Sequence, residues 1–142
     1  MEDAVARARA QADAMWEGDA ASRSLGIEVV EVAPGRAVVT MTVGPSMVNG
    51  HGICHGGFIF ALADSAFAYA CNSRGERAVA SGGSIAYLRP GRVGERLVAV
   101  AHERARAGRS GLYDVRVSAP DGGVVAEFRG QSRVIGSFFP PS

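Results

Sequence analysis

The sequence predicts an α+β fold over residues 1–142, a single domain in which one long antiparallel sheet wraps around a single buried helix. Three observations lead there. Phe58 to Cys71 is alanine-rich, lacks glycine and proline, and is apolar on all sides, so it favours a helix that must be buried. The chain around it carries β-branched stretches separated by Pro-Gly and Gly turn signals, which read as strands. In the last of these, Ala126, Phe128, Gly130, Ser132 and Val134 alternate with Glu127, Arg129, Gln131 and Arg133, giving one dry face and one wet face.

The elements follow in order. Residues 3–17 mix Arg7, Arg9 and Glu17 with Val5, Ala8, Ala12, Met15 and Trp16, the pattern of a short amphipathic helix ending near Gly18, within a helical extension over residues 1–24. Gly26 to Val32 and Arg36 to Val43 flank the turn signal Pro34-Gly35 and suggest a hairpin. Gly44 to Gly57 contains Pro45 and several glycines and cannot hold regular structure for long. Beyond the helix, Ala78 to Leu88, Glu95 to Ala105, Gly111 to Ala119 and Val124 to Val134 are strand-like, and Ser137 to Ser142, with two prolines, reads as a loose tail. A sheet with one helix leaves an open strand edge and an uncovered helix end, and dimerisation is a natural remedy.

Bulk composition narrows the function classes. With 142 residues, 47% of them hydrophobic, the chain buries roughly 68–70% of its unfolded surface without needing a disulfide or a structural metal. Its formal charge of +1 and lack of like-charge blocks point to neither a nucleic-acid nor a membrane partner. All fifteen basic residues are arginine, which a genome-wide codon bias explains more simply than a preference for phosphate. Cys54 and Cys71 bracket the helix and, at about 1.5 Å rise per residue, sit some 25 Å apart, too far to pair. The charged, polar N-terminus shows no secretory signal, so a reducing cytoplasm is the expected setting.

The chemistry concentrates in Asn49-Gly50-His51-Gly52-Ile53-Cys54-His55-Gly56-Gly57, which leads into the buried helix. Glycines there let a ligand approach the backbone, and the first helical N–H groups lack intrahelical partners, an arrangement suited to an oxyanion hole. Asp64 lies two turns further on, on a stripe with Phe60, Phe67 and Cys71. A carboxylate in that company is either a satisfied structural group, capping a loop of a neighbouring subunit, or a base or nucleophile at a subunit seam. Burial raises an aspartate above about 3.9 and strengthens it as a base as long as it still ionises.

His55-Gly56-Gly57, Phe60, Ala63-Asp64, Ala66-Phe67-Ala68 and Asn72-Ser73, then Tyr87-Leu88-Arg89-Pro90-Gly91, Gly94-Glu95-Arg96-Leu97, Gly108 to Asp114 and Val125 to Gly130 closely resemble the phenylacetate-degradation branch of the hotdog-fold acyl-CoA thioesterases. The resemblance covers most of residues 45–136. It implies hydrolysis of an acyl-CoA thioester, with hydroxylated phenylacetyl-CoA the family-level substrate, at a homodimer interface, and dimers commonly paired into tetramers. It further implies that the Gly56 N–H and the Asn49 side chain polarise the thioester carbonyl while Asp64 arrives from the other subunit. Asp64 then activates water or attacks directly. A thiolate leaves without strong acid help, so no metal or redox cofactor is required; CoA belongs to the substrate.

Some relatives place a water-orienting serine where this chain has Ala80. Ser81 is its neighbour and, by strand alternation, faces the other way, whereas Ser84 shares the parity of Ala80 and is a weaker candidate for a polar contact. His55 can contact substrate, brace Asn49 or simply bond the loop. His51 and His55 have the spacing of a zinc pair on a helix, but the intervening Gly52 and the loop setting argue against a metal. Arg89, Arg92, Arg106 and Arg109 lie near strand ends, where guanidinium groups suit CoA phosphates or are simply solvated. The resemblance favours Arg89-Pro90-Gly91 and Arg109 among these, and places Gly57 beside them on the substrate side. Two other readings draw on the same residues: an acyl-thioester hydratase or dehydratase using His55 and Asp64, and a non-catalytic acyl-CoA-binding module.

Overall fold

The computed structural model describes residues 3–139, and the sheet and helix take the arrangement that the sequence predicts. Two helices, α1 (Asp3–Gly18) and α2 (Ala20–Ser24), precede the hairpin β1 (Glu28–Ala33) and β2 (Arg36–Thr42), whose turn places Pro34 before Gly35 at φ +73°, the conformation that glycine adopts without strain. A 3-10 turn at Pro45–Met47 leads to α3 (Gly56–Cys71), followed by β3 (Glu76–Tyr87), β4 (Arg96–Ala107), β5 (Ser110–Ser118) and β6 (Val124–Ser137). All neighbours are antiparallel in the order β1-β2-β4-β5-β6-β3. This is the hotdog fold, with α3 held in the concave face.

Helix α3 is buried because its sequence offers no polar face to water. Ile59, Leu62, Phe67 and Tyr69 are almost completely covered, and Phe67 packs against Tyr113 and Phe128 with ring centroids 5.5 and 5.8 Å away. The close approach fixes Gly130, where a Cβ would lie 2.9 Å from the Phe67 ring. At the helix C-terminus, the Asn72 amide donates to Ala68 O and Ala78 O, each at 3.0 Å, and its Oδ1 accepts from the Ala78 N–H at 2.9 Å. Ser73 Oγ donates to Ala70 O at 2.6 Å and accepts from the Gly35 N–H at 2.8 Å, so helix end, β3 and hairpin turn are tied together.

The helical extension covers another flank of α3. Tyr69 donates to Asp19 Oδ2 at 3.0 Å, and Ser22 Oγ lies 3.1 Å from Ser65 Oγ. Gln11, fully buried, donates to Glu76 O at 2.9 Å and accepts from the Gly75 N–H at 2.8 Å, docking α1 on the start of β3. The expected loose tail holds less widely than predicted: β6 continues to Ser137, the Phe138 N–H donates to Gly75 O, and Arg7 stacks on the Phe139 ring at 4.6 Å. Residues 140–142 of that tail lie outside the described residues.

Strand β3 ends the sheet. It pairs only with β6 among the described residues, and most of it, including Val79, is exposed. Cys54 and Cys71, at opposite ends of α3, are both buried and free. No described helix is long and apolar enough to cross a membrane.

Candidate active site

The approach to α3 is held by a small set of bonds that leaves one amide pointing outward. His55 caps the helix: its backbone is extended at φ −62°, ψ 133°, and its Nδ1 accepts from the Gly57 N–H at 3.0 Å. Its own N–H donates to Met47 O at 2.7 Å, and its carbonyl accepts from the Phe58 N–H at 3.0 Å. Because that carbonyl is directed into the helix, the Gly56 N–H across the trans peptide points the opposite way, out of the helix start. It has no hydrogen-bond partner among the described residues.

Gly56 lines a cleft of about 460 Å³ together with Asn49, Ile53, Cys54, Ile59, Tyr87, Leu88, Arg89 and Pro90. Asn49 is oriented within it: Oδ1 accepts from the His51 N–H at 2.9 Å and, more weakly, from Ile53 N–H at 3.4 Å, which leaves Nδ2 as the end free to donate. The structure therefore brings Gly56 and Asn49 to one cleft. His55 supports the helix rather than Asn49. Gly57 cannot offer its N–H, which His55 already holds. The imidazoles of His51 and His55 do not share a helix face, because His51 lies in the preceding turn.

Asp64 is half-buried at the middle of α3 and makes no hydrogen bond or ion pair among the described residues. Desolvation by its apolar surroundings pushes its carboxyl above the ordinary 3.8. It does not line the cleft. It lies eight positions beyond Gly56, about 12 Å along the helix axis at about 1.5 Å per residue. Within one chain the Asp64 carboxylate and the Gly56 amide are thus too far apart to meet over the same carbonyl.

The raised pKa has a consequence for stability. The folded chain binds the Asp64 proton more tightly than the unfolded chain does, so ionising it costs stability as pH rises through the raised pKa. Asp64→Asn is therefore expected to raise the melting temperature at pH 7, and the gain should vanish once pH falls below the ordinary carboxylate value. Thermal unfolding of both proteins across pH 3–8 checks it.

The serine assignment changes. β3 pairs Ala80 with Ser132 but Gly82 with Gln131, so Ser81 is the extra residue of a β-bulge. The bulge reverses the alternation beyond it: Ser84 sits opposite Arg129 on the wet face, whereas Ala80 sits opposite buried Ser132. The shared parity expected of Ser84 and Ala80 fails for this reason. Ser81 itself donates to Gln131 O at 3.2 Å. Glycines inside a strand signal a bulge, and Gly82-Gly83 carried that signal.

The arginines do not converge either. Arg89 lines the cleft, bonded to Asp121 Oδ1 at 2.8 Å with Glu95 3.9 Å away, and its pKa is raised first by the Asp121 hydrogen bond. Arg109 occupies the exposed β4–β5 turn, and Arg106 pairs with Glu76 at 2.7 Å, both at the far end of the sheet. Gly91 is a packing glycine: it is buried, its carbonyl accepts from the Cys54 N–H at 2.8 Å, and a Cβ there would lie 3.3 Å from Cys54 Cβ. Sequence reasoning missed Tyr87 as a site residue. Its hydroxyl donates to Gly56 O at 2.9 Å across 31 residues of chain, a contact that spacing does not reveal.

Comparison with known proteins gives consistent matches. The family model of the thioesterase superfamily matches residues 51–126. Acyl-coenzyme A thioesterase PaaI of Escherichia coli (strain K12) is 50% identical over 125 residues, which are 88% of this chain and 89% of that protein. The solved structure of the E. coli PaaI protein from the phenylacetic acid degradation operon aligns with a TM-score of 0.93 at 47% identity, covering 95% of this chain and 98% of that one. That of smu.793 from Streptococcus mutans UA159 bound to acetyl CoA aligns with a TM-score of 0.75 at 29% identity, covering 78% and 90%.

Proposed function

The chain belongs to the thioesterase superfamily, and from that premise we propose that it hydrolyses an acyl-CoA thioester to the free acid and CoA at a site shared by two copies of itself. The observation that carries this reading is the cleft that Gly56, with its unpartnered N–H, lines together with Asn49 and its free end. Both donors suit the oxygen that gains charge as a thioester carbonyl becomes tetrahedral. The E. coli relative is named for this activity, and the S. mutans structure holds acetyl CoA.

Asp64 of the second copy supplies the base or nucleophile. The 12-residue β3 ends the sheet with an open edge, and antiparallel pairing of that edge with its copy would bury it and set the two α3 helices side by side. The same pairing turns the Arg106–Arg109 end of one sheet toward the Arg89 end of the other, which supports a role for both in binding CoA phosphates. Ionised Asp64 either draws a proton from the water that attacks the carbonyl carbon, or attacks that carbon itself to give an anhydride that water then hydrolyses; the thiolate of CoA leaves in each case, and no cofactor takes part. Ser81 and Ser84 stay candidate polar contacts of the partner. The working unit is a cytoplasmic dimer that pairs into a tetramer, in keeping with two free cysteines.

The cleft has apolar walls in Ile53, Ile59 and Leu88, and an aromatic one in Tyr87, which supports an aryl-acetyl group such as hydroxylated phenylacetyl as the acyl part. A dehydratase would need His55 to shuttle protons opposite Asp64, and the hold of its Nδ1 on the Gly57 N–H weighs against that. Incubating the purified protein with phenylacetyl-CoA, hydroxyphenylacetyl-CoA and a panel of acyl-CoA esters in the presence of a thiol reagent tests the proposal. Release of CoA, with the aryl-acetyl esters giving the highest kcat/KM, is the expected result. A change in enoyl absorbance without free thiol would overturn it.

A further inference from the structure

We infer that Tyr87 is a positioning residue for hydrolysis, holding the Gly56–Gly57 peptide so that the Gly56 N–H is aimed at the thioester carbonyl. The inference rests on the reading of Gly56 given above. One peptide unit is gripped at both ends: the Tyr87 hydroxyl donates to the Gly56 carbonyl at 2.9 Å, while His55 Nδ1 accepts from the Gly57 N–H at 3.0 Å. Bonds at the two ends of one amide polarise each other, so each strengthens the other. The ring itself lies against Gly56, where a Cβ would sit 3.0 Å from Cζ, so Tyr87 also sets the position of the Gly56 Cα.

The neighbouring peptide is fixed from the other side, since the His55 carbonyl accepts from the Phe58 N–H. Gly56 is thereby held between two hydrogen-bonded amides, although glycine alone has the loosest backbone of any residue. Tyr87 can do this because it is the last residue of β3 and faces inward, opposite buried Ala126. Its ring is half exposed and forms a wall of the cleft, so little of its packing is committed to the core.

Tyr87→Phe keeps the ring and removes only the hydroxyl. It is expected to lower kcat with phenylacetyl-CoA about five- to tenfold while KM changes less than about twofold, because a misaimed donor weakens transition-state binding above all. The Gly57 amide proton, read by NMR, should move upfield as its bond to His55 weakens. An unchanged kcat, a loss confined to KM, or an unmoved Gly57 resonance would overturn the inference. Gly56→Pro assayed beside it separates the two readings: a wild-type-like Tyr87→Phe next to an inactive Gly56→Pro refutes the role of Tyr87 alone. A Gly56→Pro that turns over normally refutes the role of the Gly56 N–H, and with it the aiming role of Tyr87, whatever the Gly57 resonance shows.

Discussion

Asp64→Asn is expected to lower kcat for CoA release by about 10²–10⁴-fold, the range that a positioned base contributes, while the protein folds at least as well as the wild type. The substitution keeps the shape of the side chain and removes the ability to take a proton or attack a carbonyl. Asp64 has no hydrogen-bond or ion-pair partner among the described residues, so the change breaks no bond within the chain. Loss of activity together with a higher melting temperature is the pattern of a group kept for chemistry against the cost of its burial. Turnover within a few-fold of wild type would remove Asp64 from the mechanism.

Gly56→Pro should be nearly as damaging, by about 10²–10³-fold in kcat, for a different reason. Proline lacks the N–H that the account assigns to the carbonyl oxygen, yet it is well suited to the first helical position, which Gly56 occupies. His55 already has the extended backbone that a residue before proline requires. The one local conflict is the Tyr87 ring, 3.0 Å from the new Cβ, which has to give by a few tenths of an ångström. The variant should therefore unfold cooperatively close to the wild-type temperature and bind CoA, but fail to hydrolyse its esters. Stopped-assay kinetics with circular dichroism melting reads both.

Much of the fold was legible in the sequence because it follows from periodicity. The all-round apolar run at Phe58 to Cys71 had to be a buried helix, the Pro34-Gly35 turn had to close a hairpin, and the alternation from Ala126 to Val134 had to have one wet face. The start of α3 just after the glycine-rich segment was likewise legible, since Gly44 to Gly57 could not hold regular structure for long. What remained hidden depends on contacts distant in sequence or on register. One inserted residue at Ser81 reversed the facing of Ser84, a reversal that simple alternation cannot anticipate. The ion pairs of Arg89 and Arg106 reveal which sheet end each occupies, and their types alone say nothing of that. Tyr87 stands in a recognisable run of sequence, and only the folded chain shows its hydroxyl on the Gly56 carbonyl.

The separation of Asp64 from Gly56 along one helix makes the pairing of chains the central claim, and a mixing experiment addresses it most directly. Asp64→Asn and Gly56→Pro proteins, each inactive, are unfolded together in equal amounts, refolded and assayed for CoA release. If every site takes its carboxylate from one chain and its amide from the other, half of the dimers are mixed and hold one intact site of two, so about a quarter of wild-type activity should return. Activity that stays at the level of the separate variants, in a sample shown to contain mixed dimers, would mean that both groups act within a single chain, contrary to the account.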